Sequence, residues 1–442
     1  MKLRNRLIAL VCLLLFLGVG AALFLTTTAR KPFAIILFLG DNLNPSTLTA
    51  TRLFAGGADA RLQLEDLPNA ALCRNAARDF SVPENASAST ALAAGTRVNR
   101  GSLCIDAGGL KLPSLLEDAA LHGRGTGLIT AGAITGTTAA AYYAKTINAE
   151  DHSDFASQFF NHTPFDYVVG EGTALEPAPV SASATNTNAP AKATTPDKEN
   201  SPLDQYAKNG VVVLRSVAEL ENQPFWKTAP ILGLLPPSQL SLTHPGEGNP
   251  EIPSLSDLVR LAITHLQANR RGYLLVVDDP SIGEAATAND AESMFKRILA
   301  FDQAVATARR YAGENALVVV AGRQNIGGLQ LNGYPFSGDK GVAILSMSAP
   351  GTPSLCWATG PGFAPESKPD TAAAITNSPN TISTNSSKKP APGILSQPSA
   401  YSLPQGIGVA GDVLTLGAGQ GSEKLRGFLD LTEIHQLIFD EL

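Results

Sequence analysis

Apolar residues along this 442-residue chain gather into short runs, separated by longer stretches in which they recur every three or four positions. Eight runs predict buried strands: residues 33–40 (FAIILFLG), 125–131 (GTGLITA), 165–170, 210–214, 231–235, 273–277 (YLLVV), 316–321 (ALVVVA) and 341–345. Between them, residues 113–122 and 255–267 carry helical spacing. So do residues 289–312, which open on Asn/Asp capping residues and repeat Met294, Ile298, Phe301 and Val305 on one face. Runs without polar alternation belong to strands covered on both faces. Their alternation with helices predicts a three-layer α/β/α sandwich around a mostly parallel central sheet.

Two segments break this rhythm. Residues 176–202 and 364–400 consist mainly of Ala, Pro, Ser, Thr and Asn, with almost no large apolar side chain to offset the entropy of ordering. They read as flexible surface insertions within one domain, residues 32–442. Residues 1–31 differ again. Lys2, Arg4 and Arg6 precede an unbroken apolar run over residues 7–25, long enough to cross a bilayer as a helix. A secretory signal peptide has a core of only about 7–15 residues and a small-x-small cleavage site after it. Residues 1–31 are therefore expected to be a single-pass transmembrane signal anchor in an inner or plasma membrane. The early cations place the rest of the chain on the periplasmic or extracellular side.

Charge narrows the functional classes. With 16% charged residues and a net charge of -6, the chain is neither a disordered acidic polymer nor a basic nucleic-acid binder. Beyond the anchor lie Cys73, Cys104 and Cys356. Cys73 and Cys104 form either a disulfide closing a loop of about 30 residues, worth about 3–4 kcal/mol, or two buried thiols. The six histidines (His122, His152, His162, His244, His265 and His435) show no paired metal-ligand spacing, which makes zinc an unlikely guest.

In an open α/β sheet, ligands bind beyond the carboxyl ends of the strands. Asp41 follows the first run, Asp278 and Asp279 the YLLVV run, and Gly322 and Arg323 the ALVVVA run. Converging carboxylates there suit a divalent cation held through oxygen. The competing reading is helix capping, since Asp41 lies just ahead of Asn44, Pro45 and Ser46.

The segments FLGDNLNPSTLTATRLF, VPENASASTALAAGTRVNRGSLCID, PSLLEDAALHGRGTGLITAGAITGTTAAAYYA, APILGLLPPSQLSL, PSLSDLVRLAITHL, VVDDPSIGEAATANDA and LVVVAGRQNIGG make the resemblance specific. In order and spacing they resemble the alkaline phosphatase family, as does DVLTLGAGQGSEKLRGFLDLTEIHQLI near the end. The resemblance implies that family's fold over nearly everything beyond the anchor except the two insertions. For active members it also implies a periplasmic or extracellular phosphomonoesterase with two zinc ions, a magnesium and a serine nucleophile, commonly a homodimer.

Carried over position by position, Asp41 matches a shared aspartate ligand, Thr138 a hydroxyl ligand and Asp278 a glutamate ligand. These three are the candidates for a residual Mg2+ or Ca2+ site. Glu84 and Asn85 match the family's Asp-Ser pair, so an asparagine occupies the nucleophile position. Gly136 stands for a His or Asp ligand, Gly283 and Thr287 for an Asp and a His, Gly322 and Arg323 for an Asp-His pair, and Gly408 for the last His. Arg323 is also placed to neutralise Asp41 or Asp278 directly. Between Lys145 and Phe160 there is no counterpart to the family's substrate-binding arginine.

These replacements predict an extracytoplasmic pseudoenzyme, a binding or scaffold module for a protein or phosphate-containing ligand, without nucleic acid as a partner. The alternative is a metal-dependent phosphomonoesterase with a rebuilt site, using Ser87 or Ser89. A third reading is a structural envelope component that makes contacts through its insertions.

Overall fold

The structure, a computed structural model, describes residues 2–27, 33–163, 165–176, 201–224, 227–240, 253–332, 345, 354–361 and 397–442. The chain divides into two units, Met1–Pro32 and Phe33–Leu442. In the first, Lys2–Thr27 is a single helix, α1. The side chains described on it are those of Arg4, Arg6 and residues 10–20, and among the described residues no helix is long and apolar enough to cross a membrane.

The second unit is organised by a ten-stranded sheet. Its strands in chain order are β1 (Ala34–Gly40), β2 (Asn69–Arg74), β3 (Gly125–Ala133), β4 (Tyr167–Glu171), β5 (Val212–Leu214), β6 (Ile231–Leu235), β7 (Tyr273–Asp279), β8 (Leu317–Gly322), β9 (Val413–Ala418) and β10 (Arg426–Asp430). Across the sheet they run β10-β2-β9-β8-β1-β7-β3-β4-β6-β5. All neighbouring pairs are parallel except those made by β9, which is antiparallel to β8 and β2.

Every residue of β1, β7 and β8 is buried, as expected for strands without a solvent face. Successive side chains of β1 enter opposite cores: Ile36 and Phe38 one, Ile35, Leu37 and Leu39 the other. The helices that frame the site are α2 (Pro45–Gly56), α3 (Asn85–Ala94), α4 (Leu115–Leu121), α5 (Thr137–Ala140), α6 (Leu255–Leu266), α7 (Ser281–Thr287), α8 (Ala291–Ala312) and α9 (Leu431–Phe439). Helices α6 and α8 cover the first face, with Val259, Ile263, Met294 and Ile298 in its core. Helices α3, α4 and α9 cover the second with Leu92, Leu116 and Ile434. The three layers are those the apolar pattern predicts.

Several expectations need correction. Residues 113–122 shorten to α4 because Ser114 acts as its cap, accepting from Glu117 N. Residues 289–312 begin one turn-forming residue late: Asp290 caps α8, while Asn289 takes a left-handed φ of 56°. Strand β5 starts at Val212, after Gly210 has turned the chain at φ 93°. Strands β2, β9 and β10 extend the sheet where no apolar run marked them. The expected strand at 341–345 lies outside the described residues except for Leu345, as do residues 177–200 and 362–396 of the two insertions. The second insertion ends sooner than its composition suggests. Gln397 is buried, and Ser399–Ser402 forms a strand parallel to Leu355–Gly360.

Cys73 and Cys104 are free thiols, which removes the disulfide alternative. Each has its own partner: Cys73 Sγ donates to Thr415 Oγ1 at 3.2 Å and Cys104 Sγ to the Ala141 carbonyl at 3.1 Å. Burial raises both to about 11, so neither is a reactive thiolate near neutral pH.

Candidate functional site

The carboxyl ends of β1, β7 and β8 lie side by side, with Gly40 opposite both Asp279 and Gly322. Just past β1 the chain turns at Asn42, whose φ of 58° is left-handed. Its side chain bonds both the N–H and the carbonyl of Ile326, at 3.0 and 2.7 Å, tying the loop after β1 to the loop after β8. Asn44, not Asp41, caps α2 by accepting from Thr47 N at 3.0 Å. The capping reading of Asp41 therefore fails, and its carboxylate faces the sheet end. Asp279 is engaged locally, accepting from Ser281 N and Ser281 Oγ at the start of α7.

Arg323 is the centre of the site. It is 0% exposed, its backbone N–H donates to the Gly40 carbonyl at 3.1 Å, and its carbonyl accepts from Asn75 Nδ2 at 2.9 Å. Its guanidinium Nη2 donates to Asp41 Oδ2 at 3.0 Å and faces Asp278 Oδ1 at 3.6 Å. Nη1 donates to Asn85 Oδ1 at 2.9 Å, to Ser89 Oγ at 3.3 Å and to Thr138 Oγ1. Asn85 Oδ1 also accepts from Thr138 Oγ1 at 2.9 Å and Ser89 Oγ at 3.2 Å. Asp41, Asn85, Thr138, Asp278 and Arg323 thus meet in one cluster, drawn from positions up to 282 residues apart.

One guanidinium cannot neutralise two carboxylates. Burial raises Asp278 to about 7, with Asp41 and Asp279 adding to the shift while Arg323 and the Thr130 hydroxyl oppose it. Between 3.8 and about 7 the folded chain holds a proton that the unfolded chain has released. This contribution to stability is full below 3.8 and is lost as pH rises through about 7. Asp278→Asn is expected to flatten that part of the curve, read by urea denaturation at about pH 4.5 and about pH 7.5. An identical slope in variant and wild type would show that Asp278 is not the group responsible.

The remaining matched positions surround the cluster without supplying donors. A Cβ on Gly283 would lie 2.4 Å from Asp41 Oδ2, and one on Gly322 would lie 2.8 Å from both the Leu43 carbonyl and Val413 Cβ. Gly136 caps the start of α5, packed over the Ala133 carbonyl. Thr287 spends its hydroxyl on the Gly283 carbonyl at 2.8 Å. Gly408 pairs with Ile326 and sits against Val82 and Pro83, just ahead of Glu84.

The clustered side chains, Asp41, Asn85, Ser89, Thr138, Asp278 and Arg323, offer no imidazole or thiolate, so they do not fit the two zinc ions that the resemblance implies. Among the described residues no group of three or more His, Cys, Asp or Glu could hold a metal ion. Nor is there room for a magnesium, since the space between Asp41, Asp278 and Thr138 is taken by the guanidinium.

At the mouth of the site, Glu84 caps α3. Its carboxylate accepts from Ala86 N at 2.7 Å, Ser87 N at 2.8 Å and Gly101 N at 3.1 Å, which engages two of the donors at this helix start. Ser87 Oγ bonds back to Glu84, and Ser89 Oγ bonds Asn85 and Arg323; both serines are buried. A cleft of about 710 Å3 opens in front of Asn85. Thr137, His152, Arg100 and Phe80 line it, with His152 Nε2 3.1 Å from Thr137 Oγ1 and the Arg100 guanidinium over the Phe80 ring at 5.1 Å. Sequence reasoning missed Arg100 and His152. The stretch searched for an arginine, between Lys145 and Phe160, does supply His152, while the arginine on the cleft comes from the loop after α3.

Comparison with known proteins agrees with the fold. The alkaline phosphatase from the Antarctic bacterium TAB5 superposes with a TM-score of 0.66 at 18% identity, covering 93% of this chain and 98% of that one. The Thermus thermophilus enzyme gives 0.66 at 19%, covering 94% and 92%. In sequence, the chain is 24% identical over 379 residues to alkaline phosphatase 4 of Drosophila melanogaster, over 76% of this chain but 63% of that protein's length. It is 26% identical over 376 residues to the tissue-nonspecific alkaline phosphatase of Gallus gallus, over 74% and 71%. The alkaline phosphatase family model matches residues 33–442, the entire second unit, and the chain belongs to the alkaline phosphatase family.

Proposed function

We propose that this protein is a membrane-anchored, extracytoplasmic member of the family that does not hydrolyse phosphomonoesters and works as a binding or scaffold module. The observation that carries the proposal is the bonding of Asn85 to Arg323. An amide cannot ionise to attack phosphorus, so no phosphoenzyme forms at Asn85. Uncatalysed phosphomonoester hydrolysis is so slow that an enzyme must lower its barrier by about 20 kcal/mol or more. Orientation in the cleft supplies about 7–11 kcal/mol. The remainder calls for charge stabilisation and an activated nucleophile. Here the only guanidinium in the cluster is committed to Asp41, and Ser87 and Ser89 are bonded inward.

What is left is the cleft in front of Asn85. The Asn85 carbonyl oxygen faces inward to three donors, which leaves its amide NH2 as a donor on the cleft side. Arg100 over Phe80 and the His152–Thr137 pair give it further polar groups beside an aromatic face. Binding without turnover is the chemistry this arrangement supports. Anchoring through residues 1–31 and the outward orientation of the domain rest on the apolar run and its preceding cations.

The test is phosphate release from 4-nitrophenyl phosphate with Zn2+ and Mg2+ added. The expected result is a rate equal to that of buffer plus metals. Turnover that disappears in Asp41→Ala would instead support the hydrolase with a rebuilt site.

A further inference from the structure

Five oxygen atoms converge on the Arg323 guanidinium: Asp41 Oδ2, Asp278 Oδ1, Asn85 Oδ1, Ser89 Oγ and Thr138 Oγ1. An all-oxygen shell with two carboxylates is the donor set a hard divalent cation takes. Here the charge inside it is covalently attached. Arg323 is held at both backbone groups, by Gly40 and Asn75, and the segment that carries it follows directly from the central strand β8. The backbone from which the guanidinium reaches into the pocket is therefore fixed at the strand end.

We propose that Arg323 is a tethered cation in a pocket built from metal-type oxygen ligands. The wild-type fold then needs no divalent ion there and admits none, and shortening Arg323 converts the pocket into a site for Mg2+ or Ca2+. Removing the guanidinium leaves the carboxylates of Asp41 and Asp278 facing each other with Thr130 Oγ1 3.2 Å from Asp278 Oδ2 and no cation between them. Like charges buried in one pocket demand either protonation or a cation. Gly283 packs against the same carboxylate, so close that a Cβ there would lie 2.4 Å from Asp41 Oδ2.

The proposal concerns how the pocket is neutralised and is independent of what the cleft binds or whether phosphate is released. It is tested by thermal unfolding of the whole chain in detergent, as wild type, R323A and R323Q, in EDTA, Mg2+ and Ca2+, with KCl matched for ionic strength. Wild-type Tm is expected to move by less than about 1 °C across these conditions, and elemental analysis should find no stoichiometric metal. At least one variant is expected to gain about 3 °C at a free Mg2+ or Ca2+ concentration about 100 times its Kd. If a variant is recovered only when Mg2+ or Ca2+ is present during purification, and not with KCl, that is the same result. A wild type that binds or is stabilised by a divalent ion overturns the proposal. So do variants that respond no more than wild type, or that stay unrecoverable with every cation.

Discussion

Replacing Arg323 by Met is expected to destabilise the domain by about 3–5 kcal/mol, the cost of leaving a buried ionic partner uncompensated. The loss is not that of one ion pair. Arg323 Nη1 also orders Asn85, Ser89 and Thr138. Methionine fills much of the same volume without the charge, so packing alone does not account for a deficit of that size. Adding Asp41→Asn to Arg323→Met should return about 2 kcal/mol or more, because one stranded charge is then removed as well. Denaturant unfolding of the four proteins in this cycle measures the pairing energy. Additive single effects would show that Arg323 and Asp41 are not partners.

The second large effect is expected at the glycines that pack against the cluster. Gly322→Asp places a Cβ 2.8 Å from the Leu43 carbonyl, 2.8 Å from Val413 Cβ and 3.1 Å from the Leu414 carbonyl. Neither carbonyl can yield cheaply, since Leu43 accepts from Leu414 N at 2.8 Å and the residues flank the central strands. Overpacking of this kind costs about 1–3 kcal/mol, and the new buried carboxylate adds its own desolvation. Loss of soluble protein, or a fall in unfolding free energy of about 3 kcal/mol or more, is the expected outcome. Gly283→Asp would meet the same fate through Asp41 Oδ2, 2.4 Å from the added Cβ. The surroundings have closed around the small residues, so a single acidic substitution there does not build a ligand site. A stable Gly322→Asp variant would show that the closure is not real.

These positions also show how far the sequence could be read. Strands β1, β7 and β8 were legible because burial on both faces demands unbroken apolar runs, and FAIILFLG, YLLVV and ALVVVA have no other use. Strand β2, NAALCR, alternates only weakly, and β10, RGFLD, is exposed over its first three residues at the sheet edge. Their strand form comes from pairing with each other and with β9, which local composition does not encode. In the site, Asp41 and Asp278 were legible from their position after strands. That Asp41 is not the cap of α2 is visible only from Asn44 taking that role. The role of Arg323 was visible as an option, yet its reach to Asn85 crosses 238 residues and depends on β8 lying next to β1. Arg100 and His152 carried no signal, because a solvent-facing arginine or histidine in a loop looks the same with or without a cleft beside it.

The account stands or falls on what occupies the space between Asp41, Asp278 and Asn85. Crystals grown with Zn2+ and Mg2+ in excess, with diffraction recorded on both sides of the zinc absorption edge, locate any bound metal directly. The predicted result is guanidinium density bridging Asp41 and Asn85, with no anomalous peak in the cluster. A pair of coordinated zinc ions at that position, with Arg323 turned away and a serine hydroxyl facing them, would contradict it.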